Sequence, residues 1–290
     1  MGKRYLIINA DDYGISESAN QAIELLFRGK RITSSTLMAP AAYAGAAAEA
    51  AARDRLPVGV HLTLNSDWKD DRWHSTADRM LVPSLDDGDG LLYDTKQLSK
   101  QAQASHVTRE LEAQVAFMTR RGCPPDHADN HCGTLYGTNG RLFFINAFRL
   151  CRKYRLPFRF PKGGRFLERQ YKGGVPKAIR AAHAVIAELA GLMGVALIDD
   201  MITNPYSMKE IDGYDGLSGY YLRQVAEMGE GVAELFLHPA YPDKRISAFT
   251  AEWAKRELEL QFLMKDDLLK VVEKEDISLV SWREAFLDKV

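Results

Sequence analysis

Cysteine is scarce in this chain: Cys123, Cys132 and Cys151 are the only three in 290 residues, and no two form a Cys-x-x-Cys pair. That excludes a paired disulfide framework, fits a reducing compartment, and leaves small buried hydrophobes as the expected role. An excess of one charge is also missing. With 38 basic against 39 acidic residues, nothing favours nucleic acid or a membrane as partner. No apolar run approaches the length of a membrane span. The four apolar residues after the basic N-terminus are too few for a secretory signal, and Leu6 stands where a myristoylation motif needs Ser or Thr. No repeat or low-complexity linker divides the sequence. The expectation is a cytoplasmic protein with one domain over residues 1–290, alone or as a homo-oligomer.

What is present is ordinary in amount, 46% apolar and 27% charged, but regular in order. Short apolar runs suited to buried strands fall at 5–9, 33–38, 57–62, 127–131, 157–160, 196–198, 232–238 and 277–281. Helical patterns alternate with them at 18–28, 43–53, 107–121, 142–154, 177–193, 222–227 and 250–272. Such alternation implies βαβ units and a parallel sheet, and its count favours a (β/α) barrel over an open sheet. Two stretches interrupt it. Residues 65–94 are rich in Asp, Trp and Gly, and 162–174 are glycine-rich and basic. Both follow strands, so both belong at the carboxyl face, as walls or a lid. Trp68 and Trp73 suit either stacking on a sugar ring or pinning their own loop.

The first strand runs directly into Asn9-Ala10-Asp11-Asp12-Tyr13-Gly14. Adjacent carboxylates at the end of a buried strand are costly unless a cation compensates them. Gly14 permits a tight turn, and Ser18 with Gln21 reads as a capping box for the next helix. Histidines occupy other strand ends: His61 after Val58-Gly59-Val60, His238 before Pro239, and His127 and His131 around Asp129. Period-two spacing sends 127, 129 and 131 to one face of an extended segment. A single His on an apolar segment is usually a hydrogen-bonded core residue. Four at strand ends beside paired acids point instead to convergence at a barrel mouth, where one Asp and two neutral imidazoles make an open site for a divalent ion.

These four motifs, in this order from residue 6 to about 241, resemble the YdjC-like family. It includes chitooligosaccharide deacetylases and is related to the NodB-type polysaccharide deacetylases. The resemblance implies a deformed (β/α) barrel of the NodB-deacetylase type. It also implies one divalent ion, Mg or Zn, held by Asp12, His61 and His131, with Asp11 as general base and His238 as general acid. The family pattern continues after His131 with histidines two and four residues on; Gly133 and Leu135 stand there instead. Both interrupting stretches also look longer than in compact members, so sugar specificity does not carry over.

The chemistry agrees with that implication. Amide hydrolysis needs a polarised carbonyl, an acidified water, a base for its proton and an acid for the departing amine. The expected function is therefore a metal-dependent carbohydrate deacetylase acting on the N-acetyl amide of a sugar or oligosaccharide. Alternatives are a catalytically altered barrel that binds carbohydrate or regulates, and a metal-dependent hydrolase of another bond. Tyr13, His127, Asp129 and Arg159 are candidates to orient these groups or touch substrate: Asp129 by holding a ring nitrogen, Arg159 by pairing with Asp11. Asp199-Asp200 reads as a loop or capping pair, and the mixed-charge stretch 252–267 as a solvated amphipathic helix over the barrel.

Overall fold

The computed structural model describes residues 2–288 except 138, 139, 172 and 249, with the backbone alone at 245. Among the described residues, seven parallel strands form one sheet: β1 (Arg4–Tyr13), β2 (Ser34–Leu37), β3 (Val58–Leu62), β4 (Ala128–Asn130), β5 (Asp200–Ile202), β6 (Gly231–Leu237) and β7 (Ile277–Leu279). The strand order is β4-β3-β2-β1-β6-β5, with β7 paired to the first residues of β1. The sheet curls until its edges almost meet. Phe158 bridges to Ala128 of β4 on one side and to Leu197, ahead of β5, on the other. A ring joined partly by single-residue bridges is the barrel expected from the alternation, deformed as the family resemblance implies.

The strands at 157–160 and 196–198 are thus reduced to those bridges, and the ordered pairing shifts to β5 beside β6. The helix expected over 250–272 breaks in two, Trp253–Met264 and Asp267–Lys274. Another begins at Gly213 rather than at 222, its early turns hidden in the sequence by three poor helix formers, Gly213, Gly216 and Gly219. The first helix, Glu17–Arg28, is capped by Ser16, whose Oγ accepts from Ala19 N at 3.0 Å. Ser18 bonds instead to Asp243. Because β1 extends to Tyr13, the chain reaches its cap two residues earlier than the Ser18 box predicts. Part of the 162–174 stretch forms the short helix Arg165–Gln170, while Lys172 lies outside the described residues. No described helix is long and apolar enough to cross a membrane.

Alternation along β1 separates two cores. Leu6, Ile8 and Ala10 pack outward under the helices, while Ile7 joins Val232, Ile198 and Trp282 inside the ring. Trp282, fully buried, arrives from beyond β7 and plugs the lumen floor. Its Nε1 donates to Glu234 at 3.2 Å, and His127 stacks on it, centroids 4.6 Å apart. Gly59 makes room for that imidazole, because a Cβ there would lie 2.4 Å from the ring. Held against Trp282, the ring cannot swing aside. Gly59→Ala should therefore cost about 1–3 kcal/mol by overpacking, read as a lower urea midpoint at unchanged m-value. An unchanged midpoint would show the lumen to be looser than this.

Candidate active site

The site lies at the carboxyl ends of β1, β3, β4 and β6, over the lumen plug. On a regular strand Asp11 and Asp12 would point to opposite faces. Here the β1–β2 register breaks between Ala10 and Tyr13, and Asp12 takes φ +66°, so both carboxylates turn into the mouth. An aspartate tolerates this left-handed conformation better than most residues, yet it is a locally costly choice. Gly14 completes the turn at φ +104°, where a Cβ would press within 2.9 Å of Ala44 Cα. A similar reversal follows β4, with Cys132 at φ +51° and Gly133 at +66°.

Three atoms converge. Asp12 Oδ1 lies 3.2 Å from His61 Nε2 and 3.3 Å from His131 Nδ1, and the two nitrogens are 3.1 Å apart. A divalent ion with bonds of about 2.0–2.2 Å sets neighbouring ligands roughly 3 Å apart, so the triangle has the size of one face of such an ion's coordination shell. Among the described residues the buried Asp12 Oδ1 finds no hydrogen-bond partner, an unmet demand of the kind a cation meets. The donor set fits a metal.

Each imidazole is held by a carboxylate on its far side. His61 Nδ1 lies 2.7 Å from Asp129 Oδ1, and His131 Nε2 lies 2.7 Å from Asp67 Oδ1. With those nitrogens donating, Nε2 of His61 and Nδ1 of His131 are free to ligate. Burial alone would depress His61, but Asp129, Asp12 and Asp11 push it up to about 10. His131 is likewise raised against burial by Asp67, Cys132 and Asp12. Burial would raise Asp12, yet Arg256, 2.5 Å from its Oδ2, and the two histidines hold it well below the usual carboxylate range. The surroundings thus pull for positive charge at the triangle.

Arg159, buried, pairs with three carboxylates. Its Nη1 and Nη2 each lie 2.7 Å from an oxygen of Asp11, its Nε donates to Glu234 Oε2 at 2.7 Å, and Nη1 is 2.7 Å from Asp129 Oδ2. Burial would lift Asp11, but Arg159, then His61 and His238, hold it at about 2. Glu234 ends raised, burial outweighing Arg159. His238 stands across the mouth, one-third exposed, with Nε2 3.8 Å from Asp11 Oδ2; Glu259 fixes its backbone by accepting from its N–H at 2.7 Å.

Tyr13 and His127 lie outside the cleft. Tyr13 turns outward into the helix layer and donates to Glu24 at 3.2 Å, the strand alternation resuming after the reversal at Asp12. His127 is one level below the site, its Nδ1 on Asp126, because its strand position faces the lumen floor. Four participants escaped the sequence reading. Asp67 sits in the long 65–94 stretch, with nothing local to mark it. Glu234 is a charge on the inward parity of an apolar strand, a usable signal. On Trp253–Met264 Glu259 is buried and the half-buried Arg256 reaches Asp12, so that helix contributes to the site and is not merely a solvated cover. Leu135 is buried away from the cleft and Gly133 lines it. Trp73 is pinned by donating to Asn65 O, while Trp68 with Tyr93 and Trp253 borders a hollow of about 430 Å³ beside Asp67. The main cleft measures about 820 Å³.

The model of the YdjC-like protein family matches residues 5–274. The chain belongs to the YdjC-like family. The "Carbohydrate deacetylase" of Enterococcus faecalis is 26% identical over 284 residues, covering 97% of this chain and 98% of that one. Its namesake from Geobacillus stearothermophilus is 27% identical over 288 residues, covering 98% of each. A "Chitooligosaccharide deacetylase" of Yersinia pestis is 35% identical over 138 residues, which span 44% of this chain and 49% of that relative. A crystal structure from Enterococcus faecalis V583, of a protein provisionally named for cellobiose-phosphate cleavage, superposes with TM-score 0.77 at 26% identity, covering 98% of this chain and all of that one.

Proposed function

We propose that this YdjC-like protein is a metal-dependent carbohydrate deacetylase that hydrolyses the N-acetyl amide of an N-acetylated sugar or oligosaccharide. The observation that carries this is the 3.1–3.3 Å triangle of Asp12, His61 and His131, flanked by one acid and one imidazole that do not belong to it. A divalent ion held there supplies Lewis-acid polarisation of the carbonyl and lowers the pKa of a water. Asp11, clamped by Arg159 with both oxygens fixed, accepts the attacking water's proton. His238 donates a proton to the departing nitrogen from the opposite side. Glu259 holds His238 in place, and Asp129 and Asp67 keep the two ligand rings in their binding tautomers. A barrel that only bound sugar would need neither Asp11 nor His238 at this mouth.

The test is acetate release from N-acetylated mono- and oligosaccharides after chelation and reloading with Mg²⁺, Zn²⁺ or Co²⁺. Activity should return with at least one ion and stay absent in Asp12→Asn, which should also lose bound metal by elemental analysis. Full metal content with no acetate from any substrate would sink the reading. His238→Ala should depress kcat for amides by about 10²–10⁴-fold, and far less for activated esters, whose leaving groups need no proton. Equal losses on both, with a lower melting temperature, would mark His238 as structural.

A further inference from the structure

The cleft is chemically lopsided. Its metal-side end is crowded with charge, but beyond Arg159 it continues as an arm walled by Phe160, Phe166, Leu167, Ile179 and Ile186, with Leu142 on the rim. Leu142 and Ile179 are exposed, so the apolar wall runs out to solvent. It is built on the helices Arg165–Gln170 and Lys177–Leu192. Among the described residues, two buried polar atoms of the lining side chains have no partner, Gln170 Nε2 and His183 Nε2, and Tyr171 and Thr203 also line the cleft. The His183 ring stacks on Phe160, centroids 4.9 Å apart, and bonds the Pro161 carbonyl. Its Nε2 is left unpartnered beneath the wall.

We infer that the arm receives an apolar aglycone, so that the substrate is an amphiphilic glycoside, an N-acetylated sugar joined to an alkyl or aryl group, in preference to an unbranched run of sugars. Two observations carry this. A second pyranose would turn hydroxyls against Phe160, Phe166, Leu167 and Ile186, which offer them no partner, and hydroxyls shielded there from water are costly. An alkyl or aryl group meets the apolar wall directly, while the few polar side chains of the lining, Gln170, Tyr171, His183 and Thr203, match a single linkage or hydroxyl at the junction. Strand order gives the direction. The arm opens over Phe160, Met201 and Phe236, between the segment that Phe158 bridges to β4 and the end of β6, where His238 flanks it. His238 is the group that protonates the amine, so the arm lies on the amine side and takes what the amine's sugar carries. This direction rests on the deacetylase reading above.

Binding and turnover separate the two. The binding arm titrates full-length metal-loaded protein with octyl β-D-glucoside below its micelle concentration and with cellobiose, neither of which carries an amide. Octyl glucoside should bind at least tenfold tighter. Ile186→Asp should abolish that advantage, while Val185→Asp, on the outward face of the same helix, should keep it. The kinetic arm compares kcat/KM for octyl N-acetyl-β-D-glucosaminide and N,N′-diacetylchitobiose, with the octyl compound favoured at least tenfold. Octyl glucoside binding without acetate release from either substrate defeats deacetylation and leaves the apolar arm standing. Cellobiose binding as tightly as octyl glucoside, or Ile186→Asp weakening both alike, overturns the arm. Preference for N-octanoylglucosamine over the octyl glycoside would put the chain on the acyl side and overturn it equally.

Discussion

Asp11→Asn is expected to retain the metal and lose turnover by about 10²–10⁴-fold in kcat. Asp11 lies outside the ligand triangle, so its charge is not needed to hold the ion. Asparagine nearly preserves its shape, and its carbonyl in the Oδ1 position can still accept from Arg159 Nη2 and from Asn9, which donate to Asp11 Oδ1 at 2.7 and 2.8 Å. What it cannot do is take a proton from water. A carboxylate held at about 2 is a weak base, sufficient only where a cation has already acidified the water. It follows that Asp11 stays ionised through the working range, and protonation of Asp11 does not set the acid limb of the wild-type pH profile. That limb belongs to the histidines, which must shed protons to hold the ion. Metal content by elemental analysis and kcat by acetate release check both halves. Near-normal kcat with the metal in place would move the base elsewhere, and loss of metal would bring Asp11 into the ligand set.

Arg159→Met should be the most destabilising single change at the site, by about 3–5 kcal/mol. The guanidinium is the shared partner of Asp11, Asp129 and Glu234, all buried. Its loss leaves three carboxylates facing one another without a counter-charge. The sign with pH follows from Asp11. Its folded value of about 2 lies below its ordinary 3.8, so the pairing stabilises fully above that ordinary value and is lost as pH falls through about 2. In Arg159→Met the carboxylates would take up protons instead, so the deficit should be large at pH 7 and shrink near pH 4. Urea denaturation at the two pH values measures this. A deficit equal at both, or below about 1 kcal/mol at pH 7, would mean the carboxylates are hydrated rather than sealed.

Much of this was legible before the fold was known. The strand positions followed from short apolar runs, and the barrel from their alternation with helices, because both are periodicities of neighbouring residues. His61, Asp129 and Arg159 could be nominated because a polar residue on or ending a buried strand has few places to go. Glu234 obeys the same rule and was there to be read. Arg256 and Glu259 were not: three residues apart on a mixed-charge helix, they look like any solvated face until the helix is laid over the barrel mouth.

The sequence by itself determined which residues stand at strand ends and, where the strand is regular, which face they take, since one side chain's direction there depends on its own few neighbours. Only the tertiary structure decided distances between strands. It brought Asp12, His61 and His131 within 3.1–3.3 Å, chose the ligating nitrogen of each ring by setting Asp129 and Asp67 behind them, and turned Asp12 left-handed so that two adjacent acids share one cavity. It sent His127 to the lumen floor and Tyr13 outward. It also left the arm beside His238 apolar, because the helices that line it come from parts of the chain remote from the metal-side residues. Spacing along a chain fixes a face, but curling the sheet and closing it through Phe158 fixes what that face meets.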